Sequence, residues 1–305
     1  RFVAHQYRIP FVSVPTAASS DGFTSTVADM TWNGVKKTVA ASAPLFVFAD
    51  TDIFAKAPKR LTAAGVSDIL GKYIALADWK IASILSEEYY CAEVVNLETR
   101  AVRTVKDNLK EIAAGEEEAC EKLMYALVLS GLAMQMTGSS RPASGAEHHL
   151  VHLWDMEVVN GHLDALHGEK VSGGTMLVLL EYKKIADAIR RGTCKVHTCT
   201  EEDQELLKET FGKKGILGAL EKENTPEPLD DVSTRELSDA LPRILKIIDA
   251  LPAVTDMQEM MNTAGCVSRV RDIGLPGEVI EESLLLAPYT RRRLSLLRLR
   301  KMLTY

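Results

Sequence analysis

The spacing of apolar residues changes near residue 58, and no other feature of this chain restricts its fold as strongly. Beyond that point "RLTAAGVSDILGKYIALADWKIASIL" (60–85) and "ACEKLMYALVLSGLAMQM" (119–136) carry apolar residues three and four apart, the period of helices. Ser233 and Glu236 have the spacing of a capping box opening "LSDALPRILKIIDAL", which Pro242 and Pro252 should break or bound. Before residue 58 the signals are those of strands. "PFVSVPT" (10–16) is short, rich in β-branched and aromatic residues, and stopped by Pro15. "PLFVFADTD" (44–52) is almost continuously apolar, as a strand buried on both faces of a parallel sheet should be. A polar loop of small residues, "AASSDGFTS" (17–25), lies between them. Loops of this kind at the carboxyl ends of parallel strands are where α/β sheets hold ligands.

The expected fold class is therefore an α/β N-terminal piece, residues 1–58, followed by a large all-α domain, residues 59–305. A length of 305 residues allows two domains at about 150 residues each. A net charge of −6 weighs against nucleic acid as a partner, since phosphate binding needs surplus Lys and Arg. The one basic run, "RRRLSLLRLRK" (291–301), has leucines at partial helical spacing and is expected to be a solvated amphipathic helix. No apolar stretch approaches the ~18 residues that cross a bilayer, so no membrane span is expected. The start does not resemble a signal peptide. Five cysteines, an odd number, favour reduced thiols and a cytoplasmic setting. Cys194, His197 and Cys199 in "CKVHTC" lack the fourth ligand and the cysteine spacing of a zinc site.

Five of the seven histidines fall between His148 and His167. His148 and His152, four apart, share a face if the segment is helical. His167 opens "HGEK", ahead of the glycines of "VSGGT", and could reach the same cavity. Asp68 sits in an apolar helical pattern, where it must either face water or find a partner. One Asp and two His with an open coordination position is a plausible catalytic divalent-metal set. Spacing alone leaves a metal site and a solvated histidine cluster both open.

Four stretches resemble one family: "FVSVPTAASSDGFTS", "AAGVSDILGKYIALADWK", "GSSRPASGAEHHLVHLWDM" and "LHGEKVSGGT". In this order and at these separations they are similar to the sn-glycerol-1-phosphate dehydrogenases, above all the bacterial branch associated with arabinose operons. That family belongs to the iron-dependent alcohol dehydrogenase, glycerol dehydrogenase and dehydroquinate synthase superfamily. The resemblance runs from about residue 8 to 170 and is weaker towards the C-terminus.

The resemblance implies a dehydroquinate synthase-like fold, with residues 1–58 as the remnant of a partial Rossmann-like NAD(P)-binding domain. It makes Asp68, His148 and His167 the ligands of a divalent metal, zinc or nickel, with iron a further candidate. Asp21, Asp68 and His152 would contact substrate, and His152 would relay the proton, an imidazole being able to titrate near neutral pH. His149 matches no ligand position. Thr16, Ala17, Ala18, Ser19 and Ser25 correspond to part of the NAD(P) site. The implied reaction interconverts dihydroxyacetone phosphate and sn-glycerol 1-phosphate with NAD(H) or NADP(H), in a homo-oligomer, dimeric or larger.

Relatives also carry a glycine-rich turn that holds the pyrophosphate, and this sequence starts just past it. Weak or undetectable NAD(P)H binding by these 305 residues is the resulting expectation. Two other readings compete. One is a dehydroquinate synthase-like lyase, against which stands Asp68, since those enzymes use Glu there. The other is a metal-binding or dimerisation module without catalysis.

Overall fold

The computed structural model describes residues 1–199 and 204–305. A short helix, Phe2–Tyr7, precedes strand β1, Val12–Ser13. Strands β2, Val27–Trp32, and β3, Val35–Ala40, form an antiparallel hairpin, and β4, Phe46–Val47, returns to pair with β1 in parallel. The hairpin turns on Asn33 and Gly34, both at positive φ, the conformation that two-residue turns require.

Beyond them, six of the helices build the core around the site: α1 Lys59–Leu85, α2 Ala92–Lys106, α3 Glu117–Thr137, α4 Ala146–Asp155, α5 His167–Arg191 and α6 Thr234–Asp249. Helices α1 and α5 pack along each other, and α4 lies against both. Helix α1 is apolar nearly all round because it runs through the middle of the core. Its Ile69, Leu70 and Ile74 meet Leu123 and Leu127 of α3, Leu150 and Leu153 of α4, and Val178 and Leu179 of α5 in one cluster. Each such side chain contributes roughly 1.5–3 kcal/mol by leaving water. Two glycines permit the closest approaches. A Cβ on Gly65 would stand 2.0 Å from the Ala18 carbonyl oxygen, and one on Gly168 would stand 2.0 Å from that of Ala64.

Both long helical stretches form where their periodicity predicts, and the Ser233–Glu236 capping box opens α6. Three expectations are corrected. Pro242 lies inside α6 without ending it, because Leu237, Ala240, Ile244 and Ile248 remain buried along one face on both sides of it. The apolar run 44–52 pairs in parallel as expected, yet Phe46 and Phe48 are more than half exposed. A sheet of two strands has too little breadth to cover both of their faces.

The basic run 291–301 is not a solvated helix. Only Leu296–Leu299 is α-helical, and Leu294, Leu296, Leu297, Leu299, Arg291 and Arg298 are buried. The buried Arg298 is satisfied from inside: it donates to the Pro288 carbonyl at 2.7 Å and pairs with Glu227 at 3.1 Å. All five cysteines are free thiols. No helix among the described residues is long and apolar enough to cross a membrane.

Candidate metal centre

Asp68 projects from the middle of α1 and is fully buried, so the water-exposed alternative for this residue does not hold. His148 sits in the first turn of α4, and His167 is the first residue of α5. One ligand atom from each of these three lies within 4.8 Å of the other two. Asp68 Oδ1 stands 3.6 Å from His148 Nε2, and the His148 and His167 ring centres are 5.3 Å apart. Among the described residues no comparable group forms at Cys194, His197 and Cys199.

The helix ends that carry the histidines are anchored by side chains from elsewhere in the chain. Asp78 of α1 accepts from the Ala146 backbone N–H at 2.8 Å, and Glu147 accepts from that of Gly145 at 2.8 Å, so two donors at the start of α4 are satisfied. At the start of α5, Glu169 accepts from the Leu166 N–H at 2.7 Å. Arg60 of α1 grips the same carboxylate with two hydrogen bonds, 2.6 and 2.8 Å. His167 is thereby tied to the helix that bears Asp68.

The charges around the three donors are ordered. Glu147 Oε1 lies 2.7 Å from His148 Nδ1, which assigns the ring proton to Nδ1 and leaves Nε2 turned toward Asp68. Lys72, one turn after Asp68 and fully buried, pairs with Asp68 Oδ1 at 2.9 Å and with Asp21 Oδ2 at 2.7 Å. Burial alone pushes the Asp68 carboxyl up, but Lys72 and the two imidazoles hold it below the usual carboxylate range. Lys72 in turn is raised: burial disfavours its charge, and Asp21 and Asp68 more than restore it. Asp68 is thus an ionised ligand in waiting. Two imidazoles and one carboxylate at these separations fit a divalent ion with a coordination position left over.

The other expected site residues gather unequally. The Asp21 N–H donates to Asp68 Oδ2 at 3.0 Å, which brings the "SSDG" loop onto the three donors. His152 is buried beside His148, with ring centres 6.4 Å apart. Arg291 Nη2 lies 3.1 Å from His152 Nε2. A guanidinium can only donate, so Nε2 accepts and the proton resides on Nδ1, which has no partner among the described residues. Burial first, then Arg291, drives the His152 pKa well below its usual value. The ring therefore does not titrate near neutrality as the sequence suggests.

His149 lies outside the triad and is fully buried, with neither ring nitrogen hydrogen-bonded. Thr16 is exposed, Ala17 and Ser19 are half-buried, and Ala18 is covered by α1. Ser25 is buried, its hydroxyl accepting from Val27 N–H and lying 3.7 Å from Met134 Sδ.

Residue-by-residue reading of the sequence misses Lys72, Glu147, Arg291 and Glu98, whose Oε1 lies 2.9 Å from the Ser130 hydroxyl that also reaches Asp21. Lys72 had a signal, the four-residue spacing from Asp68. Glu98 and Arg291 had none, since their partners are remote in sequence.

A glycerol-1-phosphate dehydrogenase (NAD(P)+) from Geobacillus stearothermophilus is 35% identical over 285 residues, covering 93% of this chain and 63% of that protein. One from Methanosarcina mazei is 34% identical over 258 residues, covering 82% of this chain and 69% of that protein. This chain belongs to the glycerol-1-phosphate dehydrogenase family. It spans less than two thirds of the Geobacillus family member's length. The family profile described as iron-containing alcohol dehydrogenase matches residues 1–58. The crystal structure of an iron-containing alcohol dehydrogenase from Corynebacterium glutamicum superposes with a TM-score of 0.56 at 15% identity, covering 95% of this chain and 65% of that one. The fold is accordingly that of the iron-containing alcohol dehydrogenases, an α/β piece followed by a helical domain, as the sequence predicts.

Proposed function

We propose that this chain is the metal-bearing part of an NAD(P)-linked dehydrogenase that interconverts dihydroxyacetone phosphate and sn-glycerol 1-phosphate. The observation that carries the reading is the convergence of Asp68, His148 and His167 from three helices, in a chain whose relatives bear that enzyme's name. Residues 1–58 are assigned to the NAD(P)-binding α/β domain and residues 59–305 to the metal- and substrate-binding domain. NAD(H) or NADP(H) would lie along the loop of Thr16, Ala17, Ala18 and Ser19. Ser25, with its hydroxyl engaged internally, would support that loop from beneath. Zinc, nickel or iron suits the donor set, which does not discriminate sharply among first-row ions. A cytoplasmic homo-oligomer belongs to the same reading.

When bound, the divalent ion supplies Lewis-acid polarisation of the substrate's C2 carbonyl. The chain's own residues do the rest. Asp68, kept ionised by Lys72, His148, oriented by Glu147, and His167 would hold the ion. Asp21 orients the substrate hydroxyls. His152, neutral and carrying its proton on Nδ1, offers a hydrogen bond to the oxygen that gains charge as hydride arrives. The role assigned to it is therefore donation, not acid–base cycling. The dihydroxyacetone phosphate-dependent oxidation of NADH and of NADPH, measured with zinc-, nickel- and iron-loaded protein, is the test. Failure to oxidise either nucleotide by metal-loaded protein that does bind NADH or NADPH refutes the activity.

A further inference from the structure

Three cationic side chains near the metal-donor histidines have been given no contact with substrate or metal: Lys36, Lys170 and Arg291. Lys36 comes from the β2–β3 hairpin. In its register Thr31 lies opposite Lys36 and Asp29 opposite Thr38, so these four side chains share one face. That face is turned to the histidine helix. Lys36 Nζ reaches Asp155 Oδ2, at the end of α4, at 2.8 Å, and Asp29 Oδ1 accepts from Arg291 at 2.7 Å. Lys170, one turn after His167, reaches the other Asp155 oxygen at 2.7 Å. Lys36 and Arg291 both act electrostatically on the His152 ring, and Asp155 acts on that of His167. The group therefore adjoins the metal-donor histidines.

Its charges do not balance. Three cations face two carboxylates, Asp155 and Asp29, which leaves one positive charge over. The cationic side chains are only 9 to 17% exposed, whereas Asp29 is 38% exposed. A surplus cation so little hydrated is costly unless an anion joins it. Two ammoniums on a single carboxylate, brought from residues 36 and 170, exceed what a structural ion pair needs. Such a group suits a small anion with several oxygens, which ammonium point charges and a guanidinium fork both bind.

We propose that Lys36, Lys170 and Arg291 form the seat for the phosphate group of the substrate, with the hairpin as its outer wall. Resting on the reading of Asp68, His148 and His167 as the reacting centre, this makes the hairpin the element that selects a phosphorylated three-carbon polyol or ketone over the free one.

Calorimetric titration with sn-glycerol 1-phosphate, inorganic phosphate and glycerol tests it. Lys36→Gln should weaken binding of sn-glycerol 1-phosphate by roughly tenfold to a hundredfold, the loss of one charge-assisted contact. Lys36→Arg should recover most of the affinity, and the response to glycerol should not change. Lys170→Gln should repeat the loss. Competition by inorganic phosphate in the wild-type protein would support a seat that reads the phosphate group itself. Equal affinity for sn-glycerol 1-phosphate in Lys36→Gln overturns the proposal, as does an equal loss of glycerol binding, or no binding of either phosphate by the wild-type protein. The two readings fail separately. Phosphate binding that depends on Lys36 in a protein inert toward dihydroxyacetone phosphate faults the reaction and leaves the seat. Turnover with an unchanged KM in Lys36→Gln does the reverse.

Discussion

Glu98 of α2 offers a sharp test of the buried polar network behind the metal donors. Ser130 Oγ lies 2.9 Å from Glu98 Oε1 and 2.9 Å from Asp21 Oδ2. A hydroxyl has one proton, so it can donate to only one of these carboxyl groups; the other must donate to it. Asp21 Oδ2 also faces the Lys72 ammonium at 2.7 Å, so the proton is assigned to Glu98. Burial points the same way, raising the Glu98 carboxyl from 4.5 to about 8 against the opposing pull of Lys72. The folded protein therefore holds a proton that the unfolded chain releases above about pH 4.5. Stability from this group is complete below that pH and is lost as pH rises toward 8. Each tenfold in proton affinity is worth about 1.4 kcal/mol, so the loss between pH 5 and pH 8 is about 3 kcal/mol. Glu98→Gln keeps the shape and the donor and removes the titration. In urea unfolding the variant and the wild type should agree within about 1 kcal/mol at pH 5, with the variant more stable by about 3 kcal/mol at pH 8. Parallel stability profiles across that range would refute the assignment of the proton to Glu98.

Three further outcomes are expected. His148→Ala should lose its divalent ion on dialysis, read as metal content per chain; full retention would remove His148 from the ligand set. His152→Phe should keep the ion while kcat/KM falls about 10²-fold, the usual cost of one lost donor to a developing oxyanion. Unchanged kinetics would make His152 a packing residue. Gly168→Ala should destabilise the fold by about 1–3 kcal/mol or more, because its Cβ has no room against the Ala64 carbonyl and backbone yields little. It should also weaken metal retention, since His167 is the neighbouring residue; an unchanged melting temperature would show that α1 and α5 can part without cost.

The sequence by itself determined what depends on neighbours a few residues apart. The periodicity of 60–85 and 119–136 and the Ser233–Glu236 box are local properties, and the helices formed there. The ligand set, by contrast, was legible only through the family's motifs, because spacing left a solvated cluster open as its main rival. Tertiary structure decided whatever depends on residues far apart in the chain. Asp68 and His148 are 80 positions apart, and only the packing of α1 against α4 and α5 brings the three donors within 4.8 Å. The same holds for the basic run at 291–301. Read locally it is a solvated face, but the folded chain supplies carbonyls and carboxylates from residues 29, 227 and 288, so the guanidiniums of Arg291 and Arg298 go inside. His152 follows the same logic: an imidazole titrates near neutrality in water, yet burial beside Arg291 keeps it uncharged. Helix formation is governed by hydrogen bonds and side chains within a turn or two. Burial of a charge is governed by whichever partners the fold brings to it, and no local pattern encodes them.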